Sequence, residues 1–273
     1  MVGIKRKLWI IAAVISASLF AVCAGILASS FMEHRALQWE MDALRKAKST
    51  AAMSPCDMPK AFLPEPSSAL LPQHPVILPG LKMLYEQNND MIGWLAIDGT
   101  EIDYPVMQTP DNEGYYLDRG FDKNAKKNGL PILDTACDFM WPSDNLIIHG
   151  HNMRNGAMFA GLFAYKDEMF CREHPFIRFD TLYRPGNYRI VAVFYSKVYN
   201  KTEQVFKYYQ FTDAEDQESY NQFIKSIKAL SLYDTGSVPE YGDELITLST
   251  CSYHTENGRF VVVAKRDAED EMR

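Results

Sequence analysis

Residues 244–251 read Glu244-Leu-Ile-Thr-Leu-Ser-Thr-Cys251, and Arg259 opens a second apolar run, Arg259-Phe-Val-Val-Val-Ala-Lys265. Side chains on a strand alternate faces with a period of two. Ile246 and Leu248 therefore share one face, which reads as core. Thr247, Ser249 and Cys251 share the other, so a thiol ends a strip of small hydroxyl residues. That arrangement suits a nucleophile at the head of a groove for an extended peptide. A free cysteine is equally at home as a small buried hydrophobe, so the strand pattern alone leaves Cys251 open between the two.

The same short-strand texture spreads outward from this hairpin. Further strands are expected over 94–97, 102–106, 130–133, 145–148, 176–179, 188–196 and 204–210, with Asp98-Gly99 marking a tight turn. Helical patterns are fewer: 81–88, 157–165, and 213–230 with Tyr220, Phe223, Ile224 and Ile227 on one face. Many short strands with one substantial helix late in the chain predict a mostly β fold, a barrel with helical insertions.

A second chemical segment is Asn145-Leu-Ile-Ile-His149-Gly-His151-Asn152, a strand running into a loop. By parity both imidazoles lie on one face, as two metal ligands would. Residues 152–166 contain no Asp, Glu, His or Cys, so a metal would have to recruit Cys251 or His254 from far along the chain. No metal is assigned. His254, in a polar turn, reads as solvated.

The N-terminus has a different character. Lys5, Arg6 and Lys7 precede residues 8–31, twenty-four residues without a charge. About 20 apolar residues cross a bilayer core, and a cleaved signal peptide has a shorter apolar region ending in small residues. The run is expected to be an uncleaved anchor, with its basic flank (1–7) in the cytoplasm and the remainder exported. Residues 32–50 are helix-compatible and read as a juxtamembrane stalk. Seven of the fourteen prolines fall between residues 55 and 79, a semi-extended spacer. The expected organisation is flank 1–7, anchor 8–31, stalk and spacer 32–80, folded domain 81–266 and charged tail 267–273.

Composition agrees with a folded, exported domain. Of 273 residues, 47% are hydrophobic and 12% aromatic, which excludes wholesale disorder. A net charge of −7 makes the chain no electrostatic match for nucleic acid. Cys56, Cys137, Cys171 and Cys251 follow the anchor at long, irregular spacings, with no C-x-x-C pair and no dense disulfide framework.

The segment 247–251, followed by Arg259 in Gly-Arg-Phe-Val-Val-Val-Ala-Lys, resembles the signature of sortases, the cysteine transpeptidases of Gram-positive cell surfaces. Gly150-His151-Asn152-Met153 resembles their histidine motif. Residues 94–108, Asp111-Asn112 with Tyr116-Leu117, and the insertion around 213–231 resemble the class B branch. The likeness covers about residues 81–266 and implies a sortase-like closed β-barrel. It also implies Cys251 as nucleophile, His151 as general acid and base, and Arg259 as the stabiliser of oxyanion and substrate. Ser249, Leu117 and Asn152 would line the substrate groove.

The implied substrates are secreted surface proteins bearing a C-terminal sorting motif, cut at Thr–Gly or Thr–Asn. The resulting thioacyl-enzyme would be resolved by an amine of the cell-wall precursor or of a pilin. No metal, nucleotide or flavin signature occurs and the chemistry calls for no cofactor. Two positions depart from the family pattern. His149 stands where tyrosine is frequent, and Ser252-Tyr253-His254 lacks the acidic residue many class B members carry, so no carboxylate partner is assigned to His151. A cysteine endopeptidase resolved by water, or a non-catalytic wall-binding module tethered to the membrane, are the rival readings.

Overall fold

A computed structural model describes residues 2–52 and 75–267. Cys56, most of the proline-rich spacer and nearly all of the charged tail lie outside the described residues. The chain divides into two compact units, Met1–Ala43 and Leu44–Arg273.

The first unit belongs to helix α1, Val2–Ala52, which continues without a break where the sequence suggested an anchor and a separate stalk. Phe20, Ile26, Leu27 and Phe31 are exposed on it. An apolar window within Ile15–Ala51 is long enough to cross a membrane by length and composition. The last turns of α1 belong to the second unit. There Arg45 reaches the Asp103 carboxylate at 2.9 Å and Lys48 lies over the Trp94 ring at 5.0 Å. Residues 44–52 are thus part of the folded body and not a free stalk.

The second unit is a closed barrel of eight strands, in the order β1 (Met91–Ala96), β2 (Asp103–Met107), β3 (Ile132–Leu133), β4 (Asn145–Gly150), β7 (Leu245–Cys251), β8 (Gly258–Arg266), β6 (Asn187–Lys197) and β5 (Phe176–Thr181). β5 returns to pair with β1 and closes the ring, so no edge is left unpaired. Two short helices, α2 (Pro79–Gln87) and α3 (Glu168–Glu173), flank the barrel strands in sequence.

Helix α4, Gln217–Leu230, starts at a capping box in which Asp216 accepts from the Ser219 N–H and Ser219 bonds back. Its buried stripe, Tyr220, Phe223, Ile224 and Ile227, packs on Leu245, Val261 and Val263. Each such side chain contributes about 1.5–3 kcal/mol by leaving water.

Two expected elements take other forms. Residues 204–210 form no strand; Phe206, Tyr208, Tyr209 and Phe211 instead pack against the α4 cluster, with one 3-10 turn at Tyr208–Gln210. Their spacing is not a strict alternation, and burial against α4 replaces ladder pairing. Likewise the helix expected over 157–165 is a 3-10 segment, Phe159–Lys166.

Candidate active site

Two strand pairings assemble the site. β4 and β7 run parallel and in register, Ile148 beside Leu248, His149 beside Ser249, Gly150 beside Thr250. β7 and β8 run antiparallel, with Cys251 directly opposite Arg259. Directly opposed residues project to the same face of a sheet, so the thiol and the guanidinium are neighbours. Beyond the end of β4, Asn152 Nδ2 donates to the Cys251 carbonyl at 3.0 Å, and Thr250 Oγ1 donates to the Gly150 carbonyl at 2.7 Å. These bonds hold the two strand ends together.

The turn after β4 is pinned as well. Phe159 N–H donates to the His151 carbonyl at 2.8 Å, and Asn152 bridges Met158. Gly150 is required by close approach: a Cβ there would lie 2.6 Å from the Phe159 ring. The histidine-bearing corner is therefore fixed from behind by an aromatic ring.

Cys251, His151 and Arg259 line one cleft of about 340 Å³, together with Leu117, Ser249, His149, Glu113 and Thr250. Cys251 is half-buried and free. Arg259 is steadied by the Gly258 carbonyl, 3.0 Å from Nη1. His151 Nε2 lies 2.7 Å from the Leu117 carbonyl oxygen. A larger groove of about 740 Å³, lined by Arg45, Lys48, Asp103 and Asp180, contains neither a thiol nor an imidazole.

The remaining expected residues divide. Ser249 and Leu117 do line the cleft, but the Ser249 hydroxyl is buried and shares a 2.7 Å hydrogen bond with Tyr208. Burial pushes the Tyr208 phenol up to about 12, so it stays neutral as that partner. Thr247 is likewise committed, donating to Asn145 Oδ1 at 2.8 Å. The hydroxyl strip has the expected parity, yet packing at its lower end leaves Cys251 as its accessible tip. Asn152 is taken up with the Cys251 backbone, a tether between the two motifs. His254 bonds Ser252 and leans on Tyr195, outside the cleft lining.

The structure also supplies a residue the sequence did not flag. Asp134 Oδ2 accepts from His149 Nε2 at 3.1 Å. Burial presses the Asp134 carboxyl upward, but bonds from His149 and the Ala136 N–H outweigh it and leave the group below its ordinary value. Asp134 follows a two-residue strand that pairs with β4, and nothing in the spacing announces that pairing. Among the described residues, Glu113, Asp134 and His149 each offer a potential metal-ligand atom within 4.8 Å of the others, with Glu113 exposed. His149 of the pair considered from the sequence belongs to this group, while His151 Nε2 is on the Leu117 carbonyl.

Burial distinguishes the other thiols. Cys137 is buried between the Asn145 carbonyl and the Ile147 N–H, and burial pushes it up to about 12. Cys171 is raised in the same way. Neither lines the cleft.

A thiol, an imidazole and a permanent cation on one cleft can perform acyl transfer through a thioester. The family model for the sortase domain matches residues 95–267. The chain is also 34% identical over 187 residues to Sortase B of Listeria monocytogenes, covering 68% of this chain and 73% of that protein. The chain belongs to the sortase family. Sortase B of Staphylococcus aureus is 30% identical over 191 residues, 69% of this chain and 75% of that protein. The crystal structure of sortase B from Bacillus anthracis superposes with a TM-score of 0.67 at 28% identity, covering 86% of this chain and 98% of that one. These relatives place it in class B. Sortases are cysteine transpeptidases that act on surface proteins carrying a sorting motif and on amine nucleophiles, and this sortase shares that general activity.

Proposed function

We propose that this class B sortase is anchored in the membrane by residues 8–31, with residues 1–7 cytoplasmic and a catalytic domain over residues 81–266 outside. In this reading it cleaves C-terminal sorting motifs at a Thr–Gly or Thr–Asn bond and joins the product to an amine of the cell-wall precursor or a pilin. The observation that carries the reading is the meeting of Cys251, His151 and Arg259 on one cleft. The exposed apolar residues of α1 and the basic residues 5–7 in its first turns support the anchor.

The steps follow from the groups present. The Cys251 thiolate attacks the scissile carbonyl carbon, and the electron pair moves to its oxygen. Arg259 meets that oxyanion and holds the substrate backbone. Collapse of the intermediate breaks the C–N bond, and His151 gives its proton to the departing amine. A thioester to Cys251 remains. An incoming amine then loses a proton to His151 and attacks the thioester carbonyl, and the thiolate leaves. Leu117 flanks the bound motif.

The test is incubation of the full chain in lipid nanodiscs with a sorting peptide, followed by intact-mass spectrometry. A mass increase equal to the acyl fragment, absent in Cys251→Ala, is expected. Adding triglycine or hydroxylamine should convert the acyl product to the amide or hydroxamate. Water as the sole acceptor would favour the endopeptidase, and no cleavage at all the tethered module.

A further inference from the structure

We propose that the Leu117 main-chain carbonyl is the orienting partner of His151, held in place by a dedicated turn. His151 then keeps its Nε2 proton throughout the reaction, and Nδ1 carries every proton transferred. The inference rests on the role of His151 proposed above and assigns that role to one ring atom.

A carbonyl oxygen has lone pairs and no proton, so the 2.7 Å contact exists only with hydrogen on Nε2. In the neutral ring the lone pair is then on Nδ1. Heavy-atom positions of an isolated histidine leave the tautomer open, and here a one-way acceptor decides it.

The carbonyl is built into its position. Leu117 belongs to the 3-10 turn Tyr115–Asp118. On either side of it, the Tyr116 carbonyl accepts from Leu130 N–H and the Asp118 carbonyl accepts from Lys126 N–H, both at 2.8 Å. The oxygen between them is the one presented to His151.

Tyr116 is fully buried, and its hydroxyl donates to Asp90 Oδ2 at 2.7 Å while accepting from Asn88 Nδ2 at 2.7 Å. That ties the turn to the segment between α2 and β1. Gly129 has φ +54°, and a Cβ there would lie 2.3 Å from the Leu117 oxygen and 2.5 Å from the Tyr116 oxygen. Any side chain at position 129 would push the carbonyl away from the ring. The carboxylate that could have served, Asp134, is on His149 instead. A neutral main-chain acceptor fixes the orientation of the ring without forming an ion pair with it.

The test uses the full chain in nanodiscs with ¹⁵N-labelled histidine, His151 being assigned by loss of its signals in His151→Gln. Long-range proton–nitrogen spectra should show neutral His151 with Nε2 protonated and Nδ1 bare. A protonated Nδ1, or an even mixture, overturns the proposal. The second arm replaces Asp118 by its α-hydroxy acid, which turns the Leu117 carbonyl into a weaker ester acceptor. A fall in kcat of up to about tenfold, with KM for the peptide unchanged and the tautomers now mixed, is expected.

Loss of activity with the tautomer unmoved would assign the turn a purely structural role and also overturn the proposal. Gly129→Ala should reproduce the ester result if it folds. The two readings fail separately. An expendable His151 would remove the proposed mechanism, whereas an essential His151 with hydrogen on Nδ1 would remove only this assignment.

Discussion

His149 and His151 stand two residues apart, on one face by strand parity, yet their surroundings share little. His149 is inside β4, flanked by Ile132 of β3 and Ser249 of β7, and its ring donates to the Asp134 carboxylate. His151 lies just past the strand end, its backbone held by Phe159 and its ring on a main-chain carbonyl. Parity therefore predicts which way a side chain faces, but not what it meets. The ring buttressed on both sides by strands and hydrogen-bonded to a carboxylate is suited to support. The ring at the opening, against a neutral acceptor, is suited to proton transfer.

The largest test of that contrast is His151→Ala. Peptide turnover should fall by about 10²–10⁴-fold, the range for losing a general acid and base, while the melting temperature stays near that of the parent. Equal turnover would erase the distinction between the two rings. Next in size is Asn152→Ala, which cuts the tether from the His151 corner to the Cys251 carbonyl. One neutral hydrogen bond corresponds to up to about tenfold in rate, read as kcat in the same peptide assay. A change confined to KM would return Asn152 to the substrate groove expected from the sequence.

Asp134→Asn addresses the support half through acidity. The folded Asp134 carboxyl lies below its ordinary value of about 3.9. Its contribution to stability is complete above that value and disappears as pH falls through the lower, folded one. The variant should therefore unfold more easily in urea at pH 7 and match the parent near pH 2, if both still fold there. A deficit that persists unchanged in acid would mean the carboxylate is not what matters. The smallest effect belongs to His149→Tyr, which should keep turnover within about threefold, as tolerated substitutions do. A collapse of activity would transfer the catalytic role to His149.

Much of this was legible in residues 244–251 and 259–265. Period-two alternation placed Cys251 and Arg259 on strands, and the observed register sets them opposite each other. The face of α4 was equally readable from Tyr220, Phe223, Ile224 and Ile227. What escaped is pairing between distant segments. No local pattern tells that β4 adds to β7 in parallel, that a two-residue β3 delivers Asp134 to His149, or that Tyr208 caps Ser249. Residues 204–210 were misread because their aromatics satisfy burial as well without a ladder as with one. The anchor 8–31 and the helix-compatible stretch after it read as separate segments because charges return at Glu33, while the backbone runs on as one helix.

The parallel pairing of β4 with β7 also has a consequence in time. Asn152 and the Cys251 carbonyl it holds are 99 residues apart in sequence, and Arg259 comes later still, on β8. A ribosome adding about 5–20 residues per second makes the histidine corner several seconds before the thiol exists. β8 sits between β7 and β6, so the ring cannot close until β8 has docked. During synthesis the chain thus contains His151 well before Cys251, and Cys251 meets Arg259 only once β8 has been made and paired. The order of the strands along the chain therefore also sets the order in which the three cleft residues can come together.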